Sequence, residues 1–230
     1  YKYIPGFVIS YLKKIIHQDD LNPFLIESQD KVGVDFLEAS VKFLDMGIEV
    51  KGIENLPEEG LHTFVSNHPL GGQDGVALGY VLGKHYNGKV KYLVNDLLMN
   101  VKGLAPLFIP INKTGKQAKD FPRMVEEGFK SDNQLIMFPA GICSRRVKGV
   151  IKDLDCSKTF IVKSVQNPRD VIPVHFSGRY SNFFYNLANT TKLLVLKFNI
   201  AMIYLVAEMF KNRLKTFPIT FGKPIPCQTF

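Results

Sequence analysis

The N-terminal part of the chain has hydrophobic residues at helical spacing. Apolar residues recur there at steps of three and four positions and would form one face of a helix: Val34, Leu37, Val41 and Leu44. Residues 7–16 combine an apolar face with two lysines, which fits either packing on a domain or lying on anionic lipid. The pattern predicts helices in two or more pieces over residues 7–46, with a break at Asn22 and Pro23.

From Ile48 onward the pattern changes to short apolar runs that end in turns. Seven of these runs have the length of strands: GIEVK, HTFVSN, KVKYLVN, PLFIPI, QLIMFP, DVIPVHF and KTFPITF. Helices are predicted between them at residues 75–83, 117–130 and 157–166. Strands that alternate with helices predict a single α/β domain with a mostly parallel central sheet flanked by helices. In such sheets, functional residues collect in loops beyond the carboxyl ends of the strands.

These two patterns divide the chain into an N-terminal helical segment, residues 1–47, and an α/β domain, residues 48–230. The helical segment is a candidate for docking on a membrane. The longest apolar region, residues 193–210, is interrupted by polar residues, and a bilayer span needs about 20 predominantly apolar residues. We therefore expect a helix there that is buried or lies at an interface.

The predicted strand DVIPVHF contains a proline. Pro173 predicts a bulge, a strand start or a sheet edge at this position.

Composition and charge narrow the class of protein. With 46% hydrophobic and 22% charged residues, the chain has the balance of a globular domain, which excludes intrinsic disorder. Three cysteines without CxxC spacing argue against a disulfide scaffold and a structural zinc site, and they fit a cytoplasmic setting without a secretory signal. A formal charge of +8 favours an anionic partner. Nucleic acid is the weakest candidate, because no run of five basic residues and no standard recognition module is present.

The stretch FVSNHPLGGQDG places a histidine and an aspartate just beyond a predicted strand. The imidazole of His68 can take a proton near neutral pH, because the ordinary pKa of histidine is about 6.5. A carboxylate on its other nitrogen would fix the tautomer and stabilise the imidazolium. Gly71 and Gly72 allow the turn that brings Asp74 back to His68. The alternative at this point is a turn in which His68 and Asp74 are solvated and do not contact each other.

Three further blocks carry polar residues at the ends of predicted strands. In the first block, LIMFPAGICSRR, a predicted strand is followed by a glycine turn and then by Ser144, Arg145 and Arg146. The end of such a strand can present backbone N–H groups and cations to an anionic ligand. An ordinary loop with solvated arginines has the same pattern. The other two blocks are FIPINK, which ends in Asn112 and Lys113, and the proline-containing strand VIPV.

Taken in order, the four blocks resemble the glycerolipid acyltransferase family, the 1-acyl-glycerol-3-phosphate acyltransferases and their relatives. The family has Asn-His, four residues and Asp; a strand ending in a basic residue; Phe-Pro-Glu-Gly-Thr-Arg-Ser; and an apolar strand with an internal proline. NHPLGGQD, FIPINK, FPAGICS and VIPV match these motifs over roughly residues 48–179. Two departures are evident. Five residues separate His68 from Asp74, and the third motif has Ala140 and Cys143 in place of its Glu and Arg.

The resemblance implies transfer of an acyl group from a thioester, acyl-CoA or acyl carrier protein, to the hydroxyl of a lyso-lipid such as lysophosphatidic acid. It implies His68 as the general base and Asp74 as the residue that orients it, with no metal, further cofactor or covalent intermediate. N–H groups near Gly141 would stabilise the oxyanion. Gly141 and Ser144 are further candidates for binding the substrate. The positive charge of the missing arginine could come from Lys113, Arg145, Arg146 or Lys148. The enzyme would work peripherally, on the inner face of an anionic membrane.

Three alternatives stay open. The acceptor could be a lyso-aminolipid, an acylated amino acid with a free hydroxyl, because Cys143 replaces an arginine that contacts phosphate in relatives. Cys143 itself, beside a cation, could form an acyl-enzyme. The third alternative is a lipid-binding protein without catalysis. The remaining histidines have no partner pattern and are predicted to be structural: His17, His62, His85 and His175.

Overall fold

The computed structural model describes residues 5–95, 101–111, 121–194 and 200–230. The helices within these ranges are α1 (Gly6–Ile15), α2 (Gln18–Glu27), α3 (Val34–Phe43), α4 (Gln73–His85), α5 (Phe121–Lys130), α6 (Thr159–Gln166), α7 (Asn182–Leu193) and α8 (Leu205–Lys211). The strands are β1 (Gly47–Lys51), β2 (His62–Ser66), β3 (Val90–Asn95), β4 (Phe108–Ile111), β5 (Gln134–Met137), β6 (Arg145–Val147), β7 (Val150–Lys152), β8 (Asp170–Phe176) and β9 (Thr216–Phe221).

Seven of these strands form one sheet in the order β1-β9-β8-β2-β5-β3-β4. All neighbouring pairs in this sheet are parallel except β8 and β9. The predicted α/β fold with a mostly parallel central sheet is therefore confirmed. A separate antiparallel hairpin, β6 with β7, was not predicted, because its three-residue strands carry basic residues and no apolar run.

The core lies on both faces of the central strands. Phe64, Ile136, Ile172 and Ile219, on four adjacent strands, have no exposed surface. Burial of one such side chain stabilises the fold by about 1.5–3 kcal/mol. On the N-terminal side, α3 contributes the buried Leu37 to the same core. The division of the chain at residues 47 and 48 stays a prediction.

The N-terminal helices begin and end at positions that differ from the prediction. The break between the first two helices is at His17, whose φ of 49° is left-handed, and Pro23 lies inside α2. The predicted break at Asn22 and Pro23 is therefore wrong. Pro23 is tolerated because the carbonyl that loses its donor, that of Asp19, lies in the exposed first turn of α2.

The apolar region at residues 193–210 is not the single helix that was predicted. Helix α7 ends at Leu193, a 3-10 helix covers Ile200–Tyr204, and α8 begins at Leu205, while residues 195–199 lie outside the described ranges. Glu208 is buried and accepts hydrogen bonds from the N–H and hydroxyl of Ser181 and from Lys211. This carboxylate fixes α8 against the start of α7. In the part of the chain that the structure describes, no helix has the length and apolarity to cross a bilayer.

Pro173 lies inside β8, a central strand, rather than at a strand start or a sheet edge. The pairing of β8 with the chain around β9 is irregular there. Two residues separate Val171 from Val174, whereas three separate their partners Ile225 and Phe221. Because of this one-residue offset, the pairing at position 173 does not require an N–H group, which proline lacks. The carbonyl of Pro173 still accepts the N–H of Gly222 at 2.8 Å.

The packing of α4 on β3 fixes the position of the first turn of α4. The hydroxyl of Tyr92 donates to the carbonyl of Gly75 at 2.6 Å. The close approach requires a glycine at position 79, because a Cβ there would lie 1.7 Å from the same hydroxyl oxygen. Since β2, β5 and β8 are parallel neighbours, the loops that follow them meet this turn at one edge of the sheet.

Candidate active site

His68 follows β2 directly and is placed by the residue before it. The side chain of Asn67 makes two hydrogen bonds with the backbone of Phe176, one to its carbonyl at 2.9 Å and one from its N–H at 2.7 Å. These bonds fix the end of β2 to the end of β8. His68 therefore emerges at the carboxyl edge of the sheet, where the sequence predicted a functional loop.

Asp74 and His68 are in direct contact. Nδ1 of His68 lies 3.0 Å from Oδ2 of Asp74, and the aspartate has no exposed side-chain surface. Oδ2 also accepts the N–H groups of Leu70 and Gly71, at 2.9 and 3.2 Å, and Oδ1 accepts that of Gly75 at 2.9 Å. Three backbone donors at the start of α4 thus stabilise a buried carboxylate whose remaining bond orients the imidazole.

The additional residue between His68 and Asp74, relative to the family's motif, is accommodated by a glycine. Gly71 has a φ of +66°, a backbone conformation that residues other than glycine rarely adopt. A Cβ there would also lie 3.1 Å from the Cβ of Cys143. The turn therefore depends on glycine, and the five-residue spacing does not keep the two side chains apart.

The electrostatic environment of His68 favours its protonated form. Burial by itself would lower the pKa of His68, but the charge and hydrogen bond of Asp74 and the charge of Asp153 outweigh burial and the opposing charge of Arg145. The result is a pKa above the ordinary value of 6.5. The ring of Phe138 stacks on the imidazole at 4.2 Å between centroids. Because Nδ1 is bound to Asp74, Nε2 is the nitrogen that can act on a substrate.

Asp153 also contacts His68, although no pattern in the sequence pointed to it. Its Oδ2 accepts the backbone N–H of His68 at 2.7 Å, and its Oδ1 accepts the hydroxyl of Ser144. The N–H of Ser144 in turn donates to the carbonyl of His68 at 2.9 Å. Asp153 lies outside the four blocks, and nothing in the sequence distinguishes it from Asp155. The anchoring role of Asn67 was likewise not predicted.

The predicted binding residues are only partly brought together. The charge of Arg145 acts on His68 and opposes the rise of its pKa, and Nη1 of Arg145 donates to the carbonyls of Cys143 and Ser144 at 2.8 and 3.1 Å. Arg146 turns towards α7, where it donates to Asn186 at 2.8 Å and lies over the ring of Tyr185.

The other predicted binding residues contribute less to the site. The N–H of Gly141 donates to the carbonyl of Phe138 at 2.9 Å and so closes a turn. Lys148 is exposed in the turn between β6 and β7. Lys113 lies outside the described residues.

Cys143 is buried, with 3% of its surface exposed. Burial raises the pKa of its thiol in spite of the nearby Arg145, so the thiolate needed for nucleophilic attack is disfavoured. The other histidines vary in environment: His62 is buried and its pKa is lowered by burial, whereas His17 pairs with Asp20 on the surface. Among the described residues, no three His, Cys, Asp or Glu side chains are grouped so as to hold a metal ion.

Comparison with known proteins shows the family. A family model described as acyltransferase matches residues 1–229. The chain belongs to this acyltransferase family. The acyltransferase fold and the resemblance found in the sequence are thereby confirmed, together with a place in lipid metabolism.

Two relatives match this acyltransferase over its whole length. A lyso-glycine lipid O-acyltransferase of Bacteroides thetaiotaomicron is 76% identical over 230 residues, which are 100% of this chain and 85% of that protein. A lyso-glycine lipid O-acyltransferase of Phocaeicola vulgatus is 71% identical over 100% of this chain and 82% of that protein.

Among solved structures, an acyltransferase has a similar fold. The crystal structure of the 1-acyl-sn-glycerophosphate (LPA) acyltransferase PlsC from Thermotoga maritima matches with a TM-score of 0.54. The match covers 86% of this chain and 68% of the PlsC chain at 18% sequence identity. At that identity the similarity concerns the fold alone.

Proposed function

We propose that this acyltransferase moves a fatty acyl group from a thioester to the free hydroxyl of a lyso-glycine lipid. The main support for the reaction is the 3.0 Å contact between His68 and a buried Asp74 at the carboxyl edge of the sheet. The support for the acceptor is the 76% identity to a lyso-glycine lipid O-acyltransferase. The proposed acceptor is therefore a lyso-aminolipid, the alternative that the replacement by Cys143 left open, rather than lysophosphatidic acid.

In the proposed reaction, Nε2 of His68 takes the proton of the acceptor hydroxyl, and the oxygen attacks the thioester carbonyl. Asp74 holds the neutral imidazole with its proton on Nδ1 and stabilises the imidazolium that forms. When the tetrahedral intermediate collapses, the C–S bond breaks and the imidazolium returns the proton to the leaving thiolate. The products are an ester and the free thiol of coenzyme A or of a carrier protein, and the reaction uses no metal ion, no further cofactor and no acyl-enzyme.

Arg145 is the residue that we assign to the acceptor headgroup. A glycine headgroup ends in a carboxylate, and an arginine binds a carboxylate best through two parallel N–H groups. Nη1 of Arg145 donates to the carbonyls of Cys143 and Ser144 and to the sulfur of Cys143, whereas the hydrogen bond of Nη2 among the described residues goes to the sulfur of Met202, at 3.8 Å. We therefore assign the edge formed by Nε and Nη2, whose orientation is fixed by the bonds of Nη1, to the carboxylate of the acceptor.

An acceptor screen tests this assignment. We expect at least about tenfold higher kcat/KM with a lyso-glycine lipid than with lysophosphatidic acid, which corresponds to about 1.4 kcal/mol. Thiol release reports turnover and mass spectrometry identifies the ester. Arg145→Ala should raise KM for the lyso-glycine lipid by about 10-fold or more, because a charged hydrogen bond contributes about 1.5–3 kcal/mol, and should leave KM for the thioester unchanged.

Arg146→Ala is the matched control, since Arg146 is held by Asn186 and Tyr185. A larger effect at Arg146 than at Arg145 would contradict the assigned headgroup site. Preference for lysophosphatidic acid would contradict the proposed acceptor. No thiol release with any acceptor would favour a lipid-binding protein without catalysis.

We also propose that the enzyme docks on an anionic membrane. Four exposed apolar side chains lie along α1 and the segment around α7 and α8: Phe7, Tyr11, Phe183 and Met202. Tyr11 and Phe183 both contact Tyr204, and Met202 contacts Arg145, so this surface extends to the proposed headgroup site. Two exposed lysines, Lys13 and Lys14, follow on α1. Apolar side chains beside basic ones are typical of membrane-surface helices.

Sedimentation with phosphatidylglycerol vesicles tests the membrane proposal. The double variant Phe7→Glu and Tyr11→Glu should lower the bound fraction by about 10-fold or more, because two apolar side chains that enter the lipid each contribute about 1.5–3 kcal/mol. Val162→Glu, at an exposed apolar position on α6, is the control and should bind as the unmodified protein does. Equal binding by all three proteins would contradict the assigned surface.

A further inference from the structure

Three hydrogen bonds form a closed ring around the backbone of His68. The N–H of His68 donates to Oδ2 of Asp153 at 2.7 Å, the hydroxyl of Ser144 donates to Oδ1 of the same carboxylate, and the N–H of Ser144 donates to the carbonyl of His68 at 2.9 Å. Both backbone polar groups of His68 are thus bound by the segment that surrounds the β6–β7 hairpin. Ser144 is buried, so its hydroxyl and its N–H are shielded from water.

We infer that Asp153 is a positioning residue for the acyl transfer, which holds His68 and Ser144 at a fixed separation. The inference rests on the proposed role of His68 as general base. Asp74 determines the direction of the imidazole ring, but its single bond to the ring does not determine where the backbone of His68 lies. Asp153 and Ser144 bind that backbone directly and so restrict its position.

The ring couples the general base to the proposed headgroup site. Ser144 is followed directly by Arg145, so the hydrogen bonds that hold Ser144 to His68 also set the distance between Arg145 and the imidazole. A base and an acceptor that are displaced by about 1 Å can lose about 10²-fold in rate. Asp153 reaches the substrate only through His68 and Ser144, which makes it a positioning residue rather than a catalytic one.

The effect of Asp153 on the position of His68 can be separated from the effect of its charge on the pKa of His68. The charged groups that face His68 are Asp74 from α4, Arg145 from β6 and Asp153 beyond β7, and the ring of Phe138 covers one face of the imidazole. The charge of Asp153 raises the pKa of His68. An asparagine could still accept the N–H of His68 through its oxygen and donate to the Ser144 hydroxyl through its amide, which preserves the ring without the charge.

The experiment compares Asp153→Ala and Asp153→Asn with Asp155→Ala and Asp155→Asn, in which an exposed aspartate two residues away is changed. The assay is thiol release with a lyso-glycine lipid, read as kcat, KM for each substrate and the pH profile of kcat/KM. We expect Asp153→Ala to lower kcat by about 30- to 100-fold with KM for the thioester within about threefold. Asp153→Asn should keep kcat within about fivefold and move the acidic limb of the profile to lower pH, because the pKa of His68 falls. Both Asp155 variants should match the unmodified enzyme.

A kcat of Asp153→Ala within threefold of the unmodified enzyme would overturn the inference. So would a loss in Asp153→Asn as large as that in Asp153→Ala. If Asp153→Ala fails to fold, Ser144→Ala decides, since it removes the hydroxyl from the same ring. A lowered kcat there supports the inference and an unchanged kcat overturns it. His68→Ala separates this inference from the proposed function: if that variant stays active, the proposed function fails, whereas an inactive His68→Ala with a fully active Asp153→Ala defeats only the inference about Asp153.

Discussion

Replacing His68 by alanine is expected to lower kcat by about 10³-fold, within the range of about 10²–10⁴ that a positioned general base contributes. The fold should survive this change, because Asp74 keeps three backbone N–H donors when the imidazole is removed. The measurement is thiol release with a lyso-glycine lipid, together with the thermal unfolding temperature of each protein.

His175→Ala is the control for this prediction. His175 lies on β8 but is exposed, so its removal should change neither kcat nor the unfolding temperature. Retention of more than a few per cent of the activity by a folded His68→Ala protein would remove His68 from the role of general base. Loss of activity with a lost thermal transition would instead indicate a structural role.

Replacing Asp74 by asparagine should have the second-largest effect, a loss of kcat of about 10²-fold, which is smaller than that of His68→Ala because Asp74 acts only through His68. The neutral amide no longer fixes the proton on Nδ1 or stabilises the imidazolium. It also conflicts with the backbone, because an NH₂ group in place of either carboxylate oxygen meets the N–H of Leu70 and Gly71 or that of Gly75. One buried donor left unsatisfied costs about 1–3 kcal/mol of stability.

The pH profile separates this effect from a general loss of stability. A general base works in its unprotonated form, so the raised pKa of His68 places the acidic limb of kcat/KM above pH 6.5 in the unmodified enzyme. In Asp74→Asn the charge that raises this pKa is gone and burial still lowers it, so the limb should move to lower pH. Asp20→Asn is the control, because Asp20 contacts His17 at the same 3.0 Å but on the surface. An unmoved limb in Asp74→Asn would contradict the proposed pair.

The strands could be predicted because their apolar runs are local features. All seven predicted runs contain strands of the sheet, and each helix predicted between them is present where the structure describes it. The β6–β7 hairpin could not be predicted, because basic residues occupy its short strands and give no alternating pattern. The same limit explains the helix breaks: the left-handed turn at His17 depends on how α1 and α2 pack, and the ring of His17 stacks on Phe210 far along the chain.

The candidate site was predicted as far as its chemistry depends on neighbouring residues. His68, Asp74 and the glycines between them are within seven positions of one another, so their proximity follows from a short turn. Asp153 is 85 residues from His68, and its carboxylate reaches the backbone of His68 only because the loop after β7 meets the loop after β2. Arg145 and Arg146 are adjacent in sequence, yet only tertiary contacts place one against Met202, where its charge acts on His68, and the other against Asn186 of α7.

By itself, the sequence determined the α/β architecture and the order of its motifs, because hydrophobic periodicity and glycine turns act over a few residues. Tertiary structure alone decided which charges act on the imidazole and how the backbone of His68 is held. Those properties depend on distances between segments that are far apart in the chain, and such distances are set by the packing of the sheet and its helices rather than by any local pattern.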